Sequence, residues 1–123
     1  MHYLRWANPD TLRAWAQAGM TYDATLGYAD EPGFRCGTCM EFPAFDVLAD
    51  STLSLRLRPL VAMETTVMEP SNLGLGTGPK AAELLRGLKE CCAAVGGTFS
   101  LLWHNSSLTR PDQRSLYHYV VGA

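Results

Sequence analysis

Hydrophobic and polar positions along the chain fall into blocks that switch between the repeat of a strand and the repeat of a helix. The opening Tyr3-Leu4-Arg5-Trp6 is a short β-rich run. Asn8-Pro9-Asp10 comes next, a capping residue, a proline suited to a first helical turn and an acid facing the helix dipole, so a helix is expected to start there. Leu12, Trp15 and Ala16 lie three and four apart on one face of that helix, and Gly19 supplies a left-handed stop. Residues 20–24 then read as a strand.

Over residues 29–52 the pattern loses its period. Pro32, Gly33, Gly37 and Pro43 punctuate this stretch, which predicts a long functional loop. Leu53, Leu55 and Leu57 next alternate with Ser54, Arg56 and Arg58, a strand with one wet face, and Pro59 limits its pairing. Leu60-Val61-Ala62-Met63 is continuously apolar, as in a strand covered on both faces. Gly74, Gly76 and Gly78 make a flexible connection to Pro79, which opens a helix expected to run through Val95. Ala81, Leu85, Leu88, Cys92 and Val95 share one of its faces, and Gly96-Gly97 ends it. Residues 99–103 form a second apolar strand, and Thr109-Arg110-Pro111-Asp112 caps a last helix carrying Leu116, Tyr119 and Val120.

Strands alternating with helices in this order predict an α/β fold, a partial barrel or small layered sheet of parallel strands with helices packed outside. Four strands cannot close a barrel, and their open edges point to a piece of a longer protein or to a partner chain that supplies the rest. At 123 residues the chain holds one domain, 1–123, or part of one. Its 47% hydrophobic and 18% charged residues are those of a globular protein. A formal charge of -2 lacks the basic excess that neutralising phosphates needs, so no nucleic-acid partner is expected. No apolar run reaches the ~20 residues that span a bilayer, and the N-terminus has no secretory pattern. With four cysteines placed as Cys36, Cys39, Cys91 and Cys92, a reduced, cytoplasmic setting is expected and no membrane.

Ligands of parallel α/β folds gather at the carboxyl ends of strands, where loops converge. The expected strand ends carry Arg5, Asp23, Glu64 and His104, which predicts a single rim of ionisable groups. His104 is the leading candidate among them, since imidazole exchanges protons near neutral pH. Cys36-Gly37-Thr38-Cys39 competes as a redox pair or half a zinc site. Cys91-Cys92 does not supply the other half of a zinc site, and the residues after Cys39 lack the helical period of a redox motif. Asn105-Ser106-Ser107 fits a glycosylation sequon that has no secretory signal to use it.

Four segments in order carry a resemblance: Tyr22-Asp23-Ala24-Thr25-Leu26-Gly27-Tyr28-Ala29-Asp30, Gly33-Phe34-Arg35-Cys36-Gly37-Thr38, Arg58-Pro59-Leu60-Val61-Ala62-Met63-Glu64 and Phe99-Ser100-Leu101-Leu102-Trp103-His104-Asn105. They resemble the later half of bacterial polysaccharide deacetylase-like proteins, which are similar to the NodB-type carbohydrate deacetylases with a distorted (β/α) barrel. The resemblance implies a hydrolase that removes acetyl groups from an acylated amino sugar or polysaccharide. It also implies a divalent metal, usually zinc, held by an Asp-His-His set in the first half, with a further Asp as base. His104 then corresponds to the late-strand acid that protonates the leaving group, with Asp23, Arg35 and Glu64 as further catalytic positions. Arg5, Tyr22, Trp103 and Asn105 are the candidate substrate-binding positions, and the carbohydrate substrate is the expected partner.

His2, His104 and His118 are the chain's three histidines, with no His-x-x-x-His and no early Asp-Asp strand end. The metal half is therefore expected to be missing, with no metal bound by this chain alone, an N-terminal half or partner chain needed, and Met1 an internal or truncated start. A different reading is a binding module whose Trp6, Tyr22, Tyr28, Phe34 and Trp103 stack on sugar rings without catalysis. A C-x-x-C thiol redox protein is the third.

Overall fold

A computed structural model describes residues 1–122, with His2 by its backbone alone. The expected domain 1–123 ends one residue beyond them. The described residues form a mixed α/β structure with four α-helices and two short sheets, which do not close into a barrel.

The first segment departs from expectation. Residues 3–6 do not form a strand: His2–Leu4 is a 3-10 turn, with Tyr3 at φ 57° and Leu4 at φ 50°. Extended pairing needs negative φ at both positions, so Arg5 comes after a turn and not a strand. Helix α1 spans Asp10–Gln17 and buries Leu12, with Trp15 and Ala16 packed beside it. Asn8 does not cap it; the Ala7 N–H donates instead to the Thr11 hydroxyl at 2.9 Å. Gly19, at φ 73°, stops the helix as expected, and the Met20 N–H returns to the Trp15 carbonyl.

Strand β1 is Tyr22–Asp23. The expected loop over residues 29–52 contains a strand, β2 at Phe42–Asp46, paired antiparallel with β3 at Ser51–Leu57. On the other edge of β3, β1 runs parallel, giving the order β1-β3-β2. The fold is thus not wholly parallel. In β2 the inward residues are Ala44 and Asp46 while Phe45 stays exposed, the reverse of the usual alternation, and the register shifts between Pro43 and Phe45. Asp46 is buried because Arg13 of α1 reaches it through two nitrogens, one at 2.9 Å, and the Leu48 and Ala49 N–H groups both donate to it at 3.0 Å. Leu12, Ala44, Leu55 and Leu57 form the core between α1 and this sheet.

Beyond Leu57 the chain stays extended. Arg58 N–H donates to the Asp23 carbonyl and Leu60 N–H to that of Leu26, after which Val61 N–H turns to Ser100. Strand β4, Ala62–Met63, pairs parallel with β5, Leu101–Leu102. Both are two residues long, shorter than the expected runs. Helix α2 begins at once, Glu64–Met68, and was not legible in the pattern. Helix α3, Pro79–Ala94, starts at Pro79 as expected and buries Ala81, Leu85 and Cys92. Val95 is 65% exposed and leaves that face, because Gly96 at φ 68° turns the chain away. Helix α4, Pro111–Val121, buries Leu116 and Val120, whereas Tyr119 lies outward with its hydroxyl on Arg86 at 2.9 Å. These helices close a second core over β4 and β5, built on Ala62, Val67, Met68, Leu85, Leu116 and Val120. No helix among the described residues is long and apolar enough to cross a membrane.

Two measurements check this account. Leu55 is fully buried, so Leu55→Ala is expected to lower the unfolding free energy by about 2–5 kcal/mol in urea titrations; a loss well under that range would mean the first core is loosely packed. The Arg13 hydrogen bond, opposed by burial and helped by the Leu48 and Ala49 N–H groups, holds the Asp46 carboxyl down at about 2. An unfolded Asp titrates near ~3.9, so between about pH 4 and about pH 2 the unfolded chain takes up the proton first and stability falls with pH. In Asp46→Asn that acid slope should flatten; an unchanged slope would remove Asp46 from the acid response.

Candidate functional site

Glu64 and His104 meet where the two parallel strands of the second sheet end. Glu64 comes directly after β4, as the first residue of α2, and His104 lies two residues beyond β5. Because β4 and β5 are parallel and in register, Ala62 with Leu101 and Met63 with Leu102, the residues leaving both strands emerge side by side. Glu64 is fully buried. Its Oε1 accepts three hydrogen bonds: from the His104 backbone N–H at 2.8 Å, from the Ser107 hydroxyl at 3.0 Å, and from His104 Nδ1 at 2.7 Å.

A carboxylate oxygen accepts and does not donate, so the imidazole proton facing it sits on Nδ1. Nε2 is then the nitrogen left to exchange a proton with another molecule. The imidazole is 42% exposed, so solvent and ligands reach it while its anchor stays dry. Glu64 Oε2 is buried and has no hydrogen-bond partner among the described residues. Burying a carboxylate costs free energy even when both oxygens are bonded, so packing stability does not explain an acid here.

The 3-10 turn Asn105–Thr109 folds back directly after His104. Its Ser107 N–H donates to the His104 carbonyl at 3.0 Å, which brings the Ser107 hydroxyl under the carboxylate. Ser107 is buried. The sequence pattern assigned it only to a sequon; the available signal was its position three residues after a candidate histidine, one turn of a 3-10 helix. Asn105 is exposed, and its side-chain oxygen accepts the Ser106 N–H.

The other candidates lie apart from this pair. Asp23 is buried at the end of β1, its carboxylate accepting the Thr25 hydroxyl at 2.6 Å and the Thr25 N–H at 3.3 Å. The Met1 amino group donates to that same hydroxyl at 2.7 Å. Arg35 donates to the Gly27 carbonyl at 2.9 Å and lies 6.0 Å from the Tyr28 ring centre, which braces the loop after β1. Tyr22 is half exposed beneath Arg58, whose guanidinium lies 4.1 Å from the ring centre. Arg58 is itself held by Glu41, whose carboxyl Arg56 first and Arg58 second keep below its usual range. Trp103 packs against the second core, its ring centre 5.3 Å from that of Tyr117 in an edge-on arrangement, and Arg5 is exposed. Tyr22, Thr25, Arg58, Leu60 and Ser100 line a cleft of about 370 Å³ between β1 and β5.

All four cysteines are free thiols. Burial pushes Cys36 up despite Arg35 beside it, and burial pushes Cys92 up to about 11. Both shifts oppose the thiolate that redox exchange needs. Cys39 is buried with Val61 and Cys92, packed so closely on Gly97 that a Cβ there would meet its sulfur.

No protein-family model, curated protein or solved structure matches the chain.

The three bonds to Glu64 make a stability prediction. Glu64→Leu orphans the Ser107 hydroxyl and the His104 N–H, and is expected to cost about 1–3 kcal/mol in chemical denaturation. A variant as stable as the parent would show that those bonds do not hold the two strand ends together.

Proposed function

We propose that this chain is the C-terminal half of a polysaccharide deacetylase-like enzyme, a hydrolase that removes acetyl groups from an acylated amino sugar or polysaccharide and is inactive as this chain alone. The observation that carries the reading is the imidazole of His104 anchored through Nδ1 on the buried Glu64 at the end of two parallel strands. That is where α/β folds gather their ligands. The resemblance to the deacetylases, drawn from four ordered segments, supplies the reaction.

In that reaction water adds to the acetyl carbonyl, the C–N bond breaks and the departing amine needs a proton. His104 donates it from Nε2 as the imidazolium, having first taken up a proton there from solvent, and returns to the neutral Nδ1–H form, with Nδ1–H held by Glu64 throughout so that the ring cannot turn away. Asp23 and Arg35 are assigned to support the loop after β1, the segment on which the resemblance to the deacetylases places both charges. Arg5, Tyr22, Trp103 and Asn105 remain the substrate-side candidates. The described residues do not fit a metal of their own: no three His, Cys, Asp or Glu side chains group to hold one. The proton transfer by His104 is the chemistry assigned to this chain, and the metal-binding half is the partner assigned to complete it.

The test is deacetylation of an N-acetylated glucosamine oligosaccharide by this chain assembled with the metal-binding half. His104→Ala is expected to lower turnover by about 10²–10⁴-fold without changing the circular dichroism of the chain. Undiminished turnover would remove His104 from the chemistry, and sugar binding without any hydrolysis would favour a carbohydrate-binding module.

A further inference from the structure

We propose that Ser107 is a positioning residue for His104, acting through Glu64. This deepens the catalytic reading above and rests on it. Three donors converge on Glu64 Oε1, and two of them come from His104 itself, its backbone N–H at 2.8 Å and its ring nitrogen at 2.7 Å. The third is the Ser107 hydroxyl at 3.0 Å. Like the His104 backbone N–H, and unlike the ring nitrogen, it stays in place when the ring turns.

The geometry around this hydroxyl is closed. The Ser107 N–H is held by the His104 carbonyl at 3.0 Å, so the turn that carries the hydroxyl is tied to the residue it positions. Ser107 is buried, and a buried hydroxyl that donates to a buried carboxylate makes a charge-assisted bond in a low-dielectric setting. Glu64 Oε2, by contrast, meets no donor among the described residues. With one oxygen orphaned, rotation of the carboxylate is opposed only by bonds to the other. Two of those bonds come from His104, one from its backbone N–H and one from a ring that can turn. The Ser107 hydroxyl, carried on the 3-10 turn, adds a side-chain donor that holds Oε1 independently of the imidazole.

The consequence is a defined tautomer: with Oε1 fixed in place, the proton stays on Nδ1 and Nε2 faces outward. A serine that only filled space would have no effect on which ring nitrogen carries the proton.

The experiment is a long-range proton–nitrogen correlation of the histidine rings in the nitrogen-labelled chain, with His104 assigned by its loss in His104→Gln. In the unsubstituted protein the neutral ring is expected as the Nδ1–H form, with a low-field, slowly exchanging Nδ1 proton. Ser107→Ala should lower the Nδ1–H share and speed exchange of that proton by about tenfold or more, the effect of one lost charge-assisted bond. Ser107→Thr, which keeps the hydroxyl, should restore both. If Ser107→Ala loses the circular dichroism of the fold, Ser107→Cys, similar in volume but a weak donor, takes its place with the same expectation. A Ser107→Ala or Ser107→Cys spectrum identical to the parent overturns the positioning role. Glu64→Gln separates the two levels: if it changes the His104 ring signals while the Ser107 variants do not, the pair stands and Ser107 is only structural. If Glu64→Gln also changes nothing, the pairing that underlies the catalytic reading is itself wrong.

Discussion

One continuous segment, residues 51–63, carries β3 and β4 and holds the molecule together. Its first part pairs with β2 on one edge and β1 on the other, and its last part pairs with β5, so both sheets share a single backbone. Each core rests on a different length of it: Leu55 and Leu57 face α1, while Ala62 faces α3 and α4. Pro59 sits between the two lengths, where its missing N–H costs no ladder bond because the flanking Arg58 and Leu60 make the links, to Asp23 of β1 and to Leu26 beyond it. Glu64 ends this stretch. Its position is therefore set by covalent continuity with the first sheet and by hydrogen bonding with the second.

That placement explains how a fully buried acid is tolerated. Desolvating a carboxylate is costly, and only multiple donors with good geometry offset it. Three donors reach Oε1 because the register of β4 and β5 puts His104 opposite the start of α2, and because the 3-10 turn after His104 folds Ser107 beneath it. The result is an imidazole with one nitrogen fixed and the other facing outward. Asp46 shows the same logic in the first sheet, where Arg13 and two backbone N–H groups hold a second buried carboxylate. The difference is exposure: Asp46 joins a helix to a hairpin, whereas the Glu64 pair leaves a titratable ring open to solvent.

Legibility varied with how local the controlling forces are. Helices α3 and α4 open at Pro79 and Pro111, and α1 stops at Gly19, because first-turn prolines and left-handed turns act within a few residues. Strand β3 was legible from Leu53, Leu55 and Leu57. Strand β2 was not: its buried side chains are Ala44 and Asp46 and its exposed ones include Phe45, so its hydrophobic alternation reads backwards until Arg13 is known to meet Asp46. Helix α2 was hidden too, since Thr65, Thr66 and Val67 are β-branched and disfavour helix; burial against the second core and the Thr66 bond to Ala29 outweigh that preference. The expected strand at Tyr3-Leu4 is replaced by a turn in which both residues take positive φ, a conformation no strand accepts.

The candidate site divides in the same way. By itself the amino-acid sequence determined which residues end the apolar runs, and so named Glu64 and His104 as strand-end candidates, because an apolar run and the polar residue that closes it are properties of a short segment. Only the tertiary structure decided that these two meet, that Asp23, Arg35 and Tyr22 bond elsewhere, and that Ser107 joins the pair. Those outcomes depend on strand register and on the turn after β5, which residues forty positions apart in the chain settle together and no local pattern encodes.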